Sequence, residues 1–201
     1  MEGGFRRQIY HWAIKNNIAD KNHVAIMGAS FGGYSTLAGL AFTPDVFCCG
    51  VDAFGMSNLE TSVNNPTYWA FPAIMWPKLY GDPKTKEGRA LLAKNSPITR
   101  VRDIKRPLII FQGENDSRVS KSESTQMVKA MKKNGLPVAY VVYPDEGHGF
   151  IREPNNLSYI ALTEIFLARC LGGKFEPLHP GELAGSSHKI LEGKELFGAQ
   201  R

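Results

Sequence analysis

The sequence predicts an α/β fold, a mostly parallel sheet with helices on both faces, on three observations. Four short runs, 24–27, 47–53, 107–113 and 138–143, are apolar almost throughout instead of alternating, as strands buried on both faces are. Segments of helical period separate them, the arrangement that sets successive strands parallel. Three distinctive loops, 28–34, 114–119 and 145–150, each follow the C-terminal end of one of those runs. That rim is where open α/β sheets gather their sites. Right-handed crossovers are expected between the strands.

Phe5, Ile9, Trp12 and Ala13 recur at helical spacing, which predicts an amphipathic helix from Phe5 to about Asn16. Asn17 to His23 is a polar connection, and Val24–Met27 is the first strand. Thr36 to Ala41 continue as a helix packed back on it, and Pro44-Asp45 breaks that region. Phe47 to Ala53 is the second strand. Ser57 to Gly81 is irregular and rich in rings, with Tyr68, Trp69, Phe71, Trp76 and Tyr80. Such a stretch forms either a pocket wall or plain cover for the sheet, and Tyr68 and Trp69 are candidate substrate contacts. Lys86 to Lys94 is a short helix stopped by Asn95-Ser96-Pro97. Pro107 to Gly113 is the third strand. Ser120 is the N-cap of the next helix, with Glu123 as its capping-box partner, and Gly135 ends that helix after Asn134. Val138 to Tyr143 is the fourth strand. Asn155 to Leu171 is a long helix whose buried side is expected to carry Leu157, Ile160, Ala161, Ile165, Phe166 and Leu167. Residues 1–173 are read as one unit. Residues 174–201, rich in Pro, Gly, Ser and charge, are expected to be a loosely ordered tail with a short helix near Ile190 to Leu196.

The 201 residues suffice for one domain with a real core. The formal net charge of +5 is mild and its lysines and arginines are dispersed, so no nucleic-acid partner is predicted. There is no signal peptide, lipidation motif or long apolar run, so no membrane partner is predicted and the chain is read as cytoplasmic. Three cysteines, two of them adjacent at Cys48-Cys49, do not form a disulfide framework pattern. They read as small buried hydrophobes, in keeping with a reducing compartment.

The chemistry is centred on Gly28-Ala29-Ser30-Phe31-Gly32, which fits the G-x-S-x-G nucleophile elbow between a strand and a helix. The two arms of so sharp a turn run close together, so a bulky side chain at Gly28 or Gly32 is expected to collide. Ser30 is the candidate nucleophile, and the Phe31 N–H, at a helix N-terminus, the candidate oxyanion donor. A serine hydroxyl needs a base, and of five histidines only His148 sits in a loop after a strand with glycine on both sides. The imidazole needs a carboxylate to orient it. Asp116 is preferred to Glu114 because it lies later in its loop, and Asp145 and Glu146 are too close in sequence to approach the ring from its far side. Ser30, Asp116, His148 is the chain order found in α/β-hydrolases. This chemistry requires neither metal nor cofactor.

Gly28-Ala29-Ser30-Phe31-Gly32-Gly33-Tyr34, Gln112-Gly113-Glu114-Asn115-Asp116-Ser117-Arg118-Val119 and Pro144-Asp145-Glu146-Gly147-His148-Gly149-Phe150 together resemble the prolyl oligopeptidase (S9) family of serine peptidases over about Phe5 to Gly173. The resemblance implies the C-terminal part of an α/β-hydrolase catalytic domain, acylaminoacyl-peptidase- or dipeptidyl-peptidase-like, acting on peptides. It implies Ser30 as nucleophile, His148 as base and Asp116 as its partner. It also implies that Arg118 can hold a substrate carbonyl or carboxylate; the alternative is a surface arginine. Nothing here resembles the β-propeller that usually precedes the family's hydrolase domain. The strands and the loop supplying a second oxyanion donor are also missing. The first strand is therefore expected to be an open edge, covered by a missing N-terminal segment or by a second copy of the chain. A carboxylesterase, or a catalytically silent remnant, are the competing readings.

Overall fold

A computed structural model describes residues 4–65, 77 and 79–198, with backbone alone at 4–6. Tyr68, Trp69, Phe71 and Trp76 lie outside the described residues. The chain runs through α1 (Gly4–Lys15), β1 (Ala25–Ala29), α2 (Phe31–Phe42), β2 (Cys49–Ala53), α3 (Leu59–Val63), α4 (Lys86–Asn95), a 3-10 segment (Pro97–Asp103), β3 (Leu108–Gly113), α5 (Lys121–Lys133), β4 (Val138–Tyr143), α6 (Glu153–Leu171), β5 (Lys189–Glu192) and a last 3-10 turn (Lys194–Phe197). The sheet order is β1-β2-β3-β4-β5. The first four strands are parallel and in sequence order, and β5 is antiparallel to β4.

The uniformly apolar runs are explained by the layering. Leu108, Ile110, Val138, Tyr140 and Val142 point to one face and pack with Leu37 and Leu40 of α2 and Met127 and Met131 of α5. Val51, Ala53, Ile109, Phe111, Ala139, Val141 and Tyr143 point to the other and pack with Leu162, Ile165 and Phe166 of α6. Every residue of β2, β3 and β4 is buried. The β1 strand is different. Among the described residues its only partner is β2, and Met27 is 54 % exposed. It is the open edge that the sequence predicts.

Four expectations are corrected. First, residues 174–198 are not a loose tail: they return to the sheet as β5 and seat Phe197 against α6, and the helix expected near 190 is a strand followed by a 3-10 turn. Ser186 and Ser187 anchor this return by bonding the Asn155 side-chain carbonyl at 3.0 and 2.9 Å, the first through its hydroxyl and the second through its N–H. Second, α6 buries a different set of residues from the one expected. Asn155 and Ser158 face inward, while Leu157 and Ile160 are exposed. Third, Glu123 caps nothing. Its carboxylate leaves the helix end to accept from the N–H groups of Ser57 (3.0 Å) and Asn58 (2.8 Å) in the loop after β2 and from the Thr61 hydroxyl of α3.

Fourth, Cys49 and Cys170 form a disulfide joining the start of β2 to the last turn of α6. The reading of a reducing compartment thereby loses its support. Cys49, the first residue of β2, takes the bond, and Cys48, just before the strand, is left as the free thiol. Because the bond closes a span of 121 residues, Cys170→Ala is expected to lower the unfolding free energy by about 2–4 kcal/mol, measured by denaturant titration.

Candidate active site

The parallel register of β1 to β4 brings the loops after β1, β3 and β4 to the same rim, and three of the predicted side chains meet there. His148 Nε2 is 2.9 Å from Ser30 Oγ, and His148 Nδ1 is 2.7 Å from Asp116 Oδ2. The histidine side chain is 12 % exposed and that of Asp116 is fully buried.

Ser30 stands between β1 and α2 at φ 57, ψ −116, in the left-handed half of backbone space. Such a conformation is unfavourable for serine and persists only where its surroundings fix it. Here the Ser30 N–H donates to the Ala53 carbonyl (2.9 Å), and the Ser30 carbonyl accepts from the Tyr34 N–H (3.0 Å). A Cβ at Gly28 would lie 2.5 Å from the Gly32 backbone, so the arms of the turn do run that close. The expected collision at Gly32 is corrected: a Cβ there meets nothing. Phe31 is the first residue of α2, so its N–H is one of the first-turn donors without an intrahelical acceptor.

Asp116 is held by its own loop. Its Oδ1 accepts from the Arg118 and Val119 N–H groups, each at 2.8 Å, which leaves Oδ2 for the imidazole. Gln112 lies behind it with Nε2 3.4 Å from Oδ2, its own carbonyl accepting from Ser124 Oγ at 2.7 Å. Since a carboxylate only accepts, the short Nδ1 contact puts the proton on Nδ1 and leaves Nε2 to accept from the serine O–H. Glu114, the competing carboxylate, points away and pairs with Lys121 at 2.6 Å, which holds its pKa low.

The histidine loop is built by residues the sequence reading did not single out. The buried Glu146 accepts from the N–H groups of Ile151 (3.2 Å) and Arg152 (2.9 Å) and from the Asn155 amide (2.9 Å), closing the loop around His148. The Asn115 N–H donates to the Glu146 carbonyl (2.9 Å), and the Asn115 amide to Pro144 (2.7 Å), so the two loops are laced together. Gly113 permits this: a Cβ there would lie 2.1 Å from the Gly147 carbonyl. Phe54, itself at φ 44, lays its ring 4.7 Å from the imidazole. Arg118 is exposed and lines a cleft with Thr61, Ser62 and Asn65.

Asp52 is the other residue missed, hidden within a buried strand. It is wedged behind the first turn of α2, where a Cβ on Gly33 would strike its Oδ1. That oxygen accepts from the Gly55 N–H at 2.9 Å, while Oδ2 has no partner among the described residues. Burial pushes its pKa from 3.8 up to about 8, with the Gly55 bond opposing. A neutral carboxyl is the form this site favours.

The profile of the prolyl oligopeptidase family matches residues 8–174, and the chain belongs to that family. It is 50 % identical over 185 residues to a dipeptidyl aminopeptidase BIII of Pseudoxanthomonas mexicana, covering 92 % of this chain and 27 % of that protein. It is 42 % identical over 178 residues to dipeptidyl peptidase family member 6 of Caenorhabditis elegans, covering 88 % of this chain and 24 % of that one. Among solved structures, a puromycin-hydrolysing peptidase of Mycobacterium tuberculosis superposes with a TM-score of 0.76 at 26 % identity, over 85 % of this chain and 26 % of the other. These neighbours are α/β-hydrolase peptidases, the fold class predicted. The chain thus spans about a quarter of the length of the curated relatives it matches.

Gly113→Ala is expected to push the two loops apart and destabilise the protein by about 1–3 kcal/mol, the range for an overpacked site, read by denaturant unfolding. For Asp52, the folded chain keeps a proton that the unfolded chain loses above about pH 4, so its contribution to stability is complete below that and is lost as pH rises through about 8. The Tm of Asp52→Asn relative to the unsubstituted protein is therefore expected to climb across that interval, which a pH series of melting curves reads directly.

Proposed function

We propose that this chain carries the catalytic centre of a serine peptidase that cleaves oligopeptides through an acyl-enzyme. The observation that carries the reading is the continuous hydrogen-bonded chain from the Ser30 hydroxyl through the His148 ring to the buried Asp116 carboxylate. In this scheme Ser30 Oγ attacks the substrate carbonyl while His148 Nε2 takes its proton, and Asp116 steadies the imidazolium. The oxyanion that forms is received by the Phe31 N–H. The tetrahedral adduct collapses with proton transfer from Nε2 to the leaving amine, and water repeats the sequence to release the acyl group. Removal of dipeptides from a free N-terminus is the finer proposal, since the curated relatives at 50 % and 42 % identity are named for dipeptidyl cleavage. Arg118, exposed beside the rim, is proposed to meet a carbonyl or carboxylate of the bound peptide. Tyr68 and Trp69 are proposed as further peptide contacts.

The open edge of β1 is proposed to pair in the working protein, with more of the polypeptide or with a second copy of the chain. In support, Met27 on that edge and Ile160, Leu167 and Leu171 of α6 line one apolar groove. A catalytically silent domain is favoured by one observation: among the described residues, the Phe31 N–H is the sole candidate oxyanion donor. Removing one donor where two act has lowered turnover by about 100- to 1,000-fold.

A fluorophosphonate probe separates the readings. Active protein is expected to be labelled at Ser30, with no labelling of Ser30→Ala and a rate about 100- to 10,000-fold lower in His148→Ala. A folded chain that never labels is the silent domain. Among anilide and ester substrates, the dipeptidyl reading requires preference for a dipeptidyl anilide with a free amino terminus. Preference for an N-acyl anilide or a simple ester would replace it with an acylaminoacyl peptidase or an esterase.

A further inference from the structure

The end of the sheet opposite Ser30 gathers all three cysteines. Cys49 opens β2, Cys48 precedes it and Cys170 stands in the last turn of α6. Their Sγ atoms lie within 4.8 Å of one another, with Cys48 3.4 Å from Cys170. The Cys48 thiol is partly buried and donates to the Val24 carbonyl at 3.1 Å. Burial pushes that thiol's pKa up, and the charge of Arg106 opposes the rise.

A third sulfur beside a disulfide can serve as an attacking thiol or as one member of a ligand set, and shape distinguishes them. Displacement of one sulfur by another runs through a nearly collinear arrangement. Over the 3.4 Å contact and an ordinary disulfide length, that would set the outer sulfurs about 5.4 Å apart. These three instead lie within 4.8 Å, as a triangle. Thiolates hold zinc at about 2.3 Å, which places them just under 4 Å from each other. A triangle of this size reaches that spacing by side-chain rotation once the Cys49–Cys170 bond is open.

We propose that, on reduction of the disulfide, Cys48, Cys49 and Cys170 form a three-thiolate site for a soft divalent metal ion of the zinc and cadmium class. Reduction takes two electrons and two protons from a dithiol, which closes to its own disulfide. The three thiols then bind the divalent ion as thiolates and release three protons to solvent. The resulting single net negative charge lies in the field of Arg106. In the oxidised chain two of the three donors are occupied by each other, so affinity is gated by the redox state. The site is independent of the peptidase reading, because it lies at the far end of β2.

The probe is Cd(II). The full chain is reduced with excess dithiol, desalted without oxygen and titrated beside the oxidised chain, following thiolate-to-cadmium charge-transfer absorption. One equivalent is expected to bind the reduced chain and none the oxidised. Cys48→Ser, which keeps the disulfide pair, is expected to bind at least tenfold more weakly when reduced. Cd(II) is also expected to raise the Tm of the reduced protein, since an ion bound to the native fold stabilises it. Should reduction alone unfold the chain, Cd(II) must restore the native circular dichroism. Unchanged affinity in Cys48→Ser, equal binding by the oxidised chain, a fall in Tm, or failure to restore the fold each overturns the proposal.

Discussion

The rim chemistry depends on how one carboxylate is buried. An ionised group taken out of water costs several kcal/mol unless its lone pairs are satisfied. Asp116 meets that condition within its own loop, through two backbone donors on Oδ1, and offers Oδ2 to a ring from the next crossover. The same two donors fix the loop's path, so the carboxylate is aimed by the backbone that satisfies it. The imidazole is thereby held in one tautomer with its acceptor nitrogen toward Ser30. Hydrogen bonds through Asn115 and Glu146 tie the acid and histidine loops together, and the lack of a side chain at Gly113 lets them touch.

Much of this was legible in the sequence because the signals were doubled. A strand buried on both faces must be apolar at every position, so β2, β3 and β4 stood out from single runs, and the three candidate residues sit one each in the loops after β1, β3 and β4. What was not legible depended on partners distant in sequence. Ser120 and Glu123 satisfy the local capping pattern, yet the Glu123 carboxylate is used by donors more than sixty residues away. The apolar residues of α6 suggested one face, but Asn155 and Ser158 were drawn inward by the returning chain at Ser186 and Ser187. The tail itself read as loose because its strand is short and half exposed, with too little apolar content to announce an edge. Adjacent cysteines gave no sign of the partner 121 residues away in α6, beside which both of them lie.

Two buried acids near the elbow show how burial divides the roles of like residues. Asp116 has donors for both oxygens and a cation-forming neighbour, so it can serve as the charged partner. Asp52 has one donor and one orphaned oxygen, and burial favours its neutral form. It therefore acts as a polar spacer between the first turn of α2 and the loop carrying Phe54, the ring that lies against His148. The strained backbone at Ser30 is thus backed on one side by the hydrogen bond to Ala53 and on the other by this wedge.

The β2 strand joins the two ends of the molecule that carry reactive groups. Ala53 receives the Ser30 N–H at one end, and Cys49 begins the sulfur triangle at the other. Four residue steps of a strand span about 13 Å, and every side chain between is buried. A change at the sulfurs alters how firmly α6 is fastened to β2, which bears on global stability. The rim is fastened separately, by Asp116, Glu146 and the Gly113 contact, none of which involves the last turn of α6. Opening the disulfide should therefore loosen the fold before it disturbs the 2.9 Å contact between Ser30 and His148, and stability and chemistry are separable along one strand.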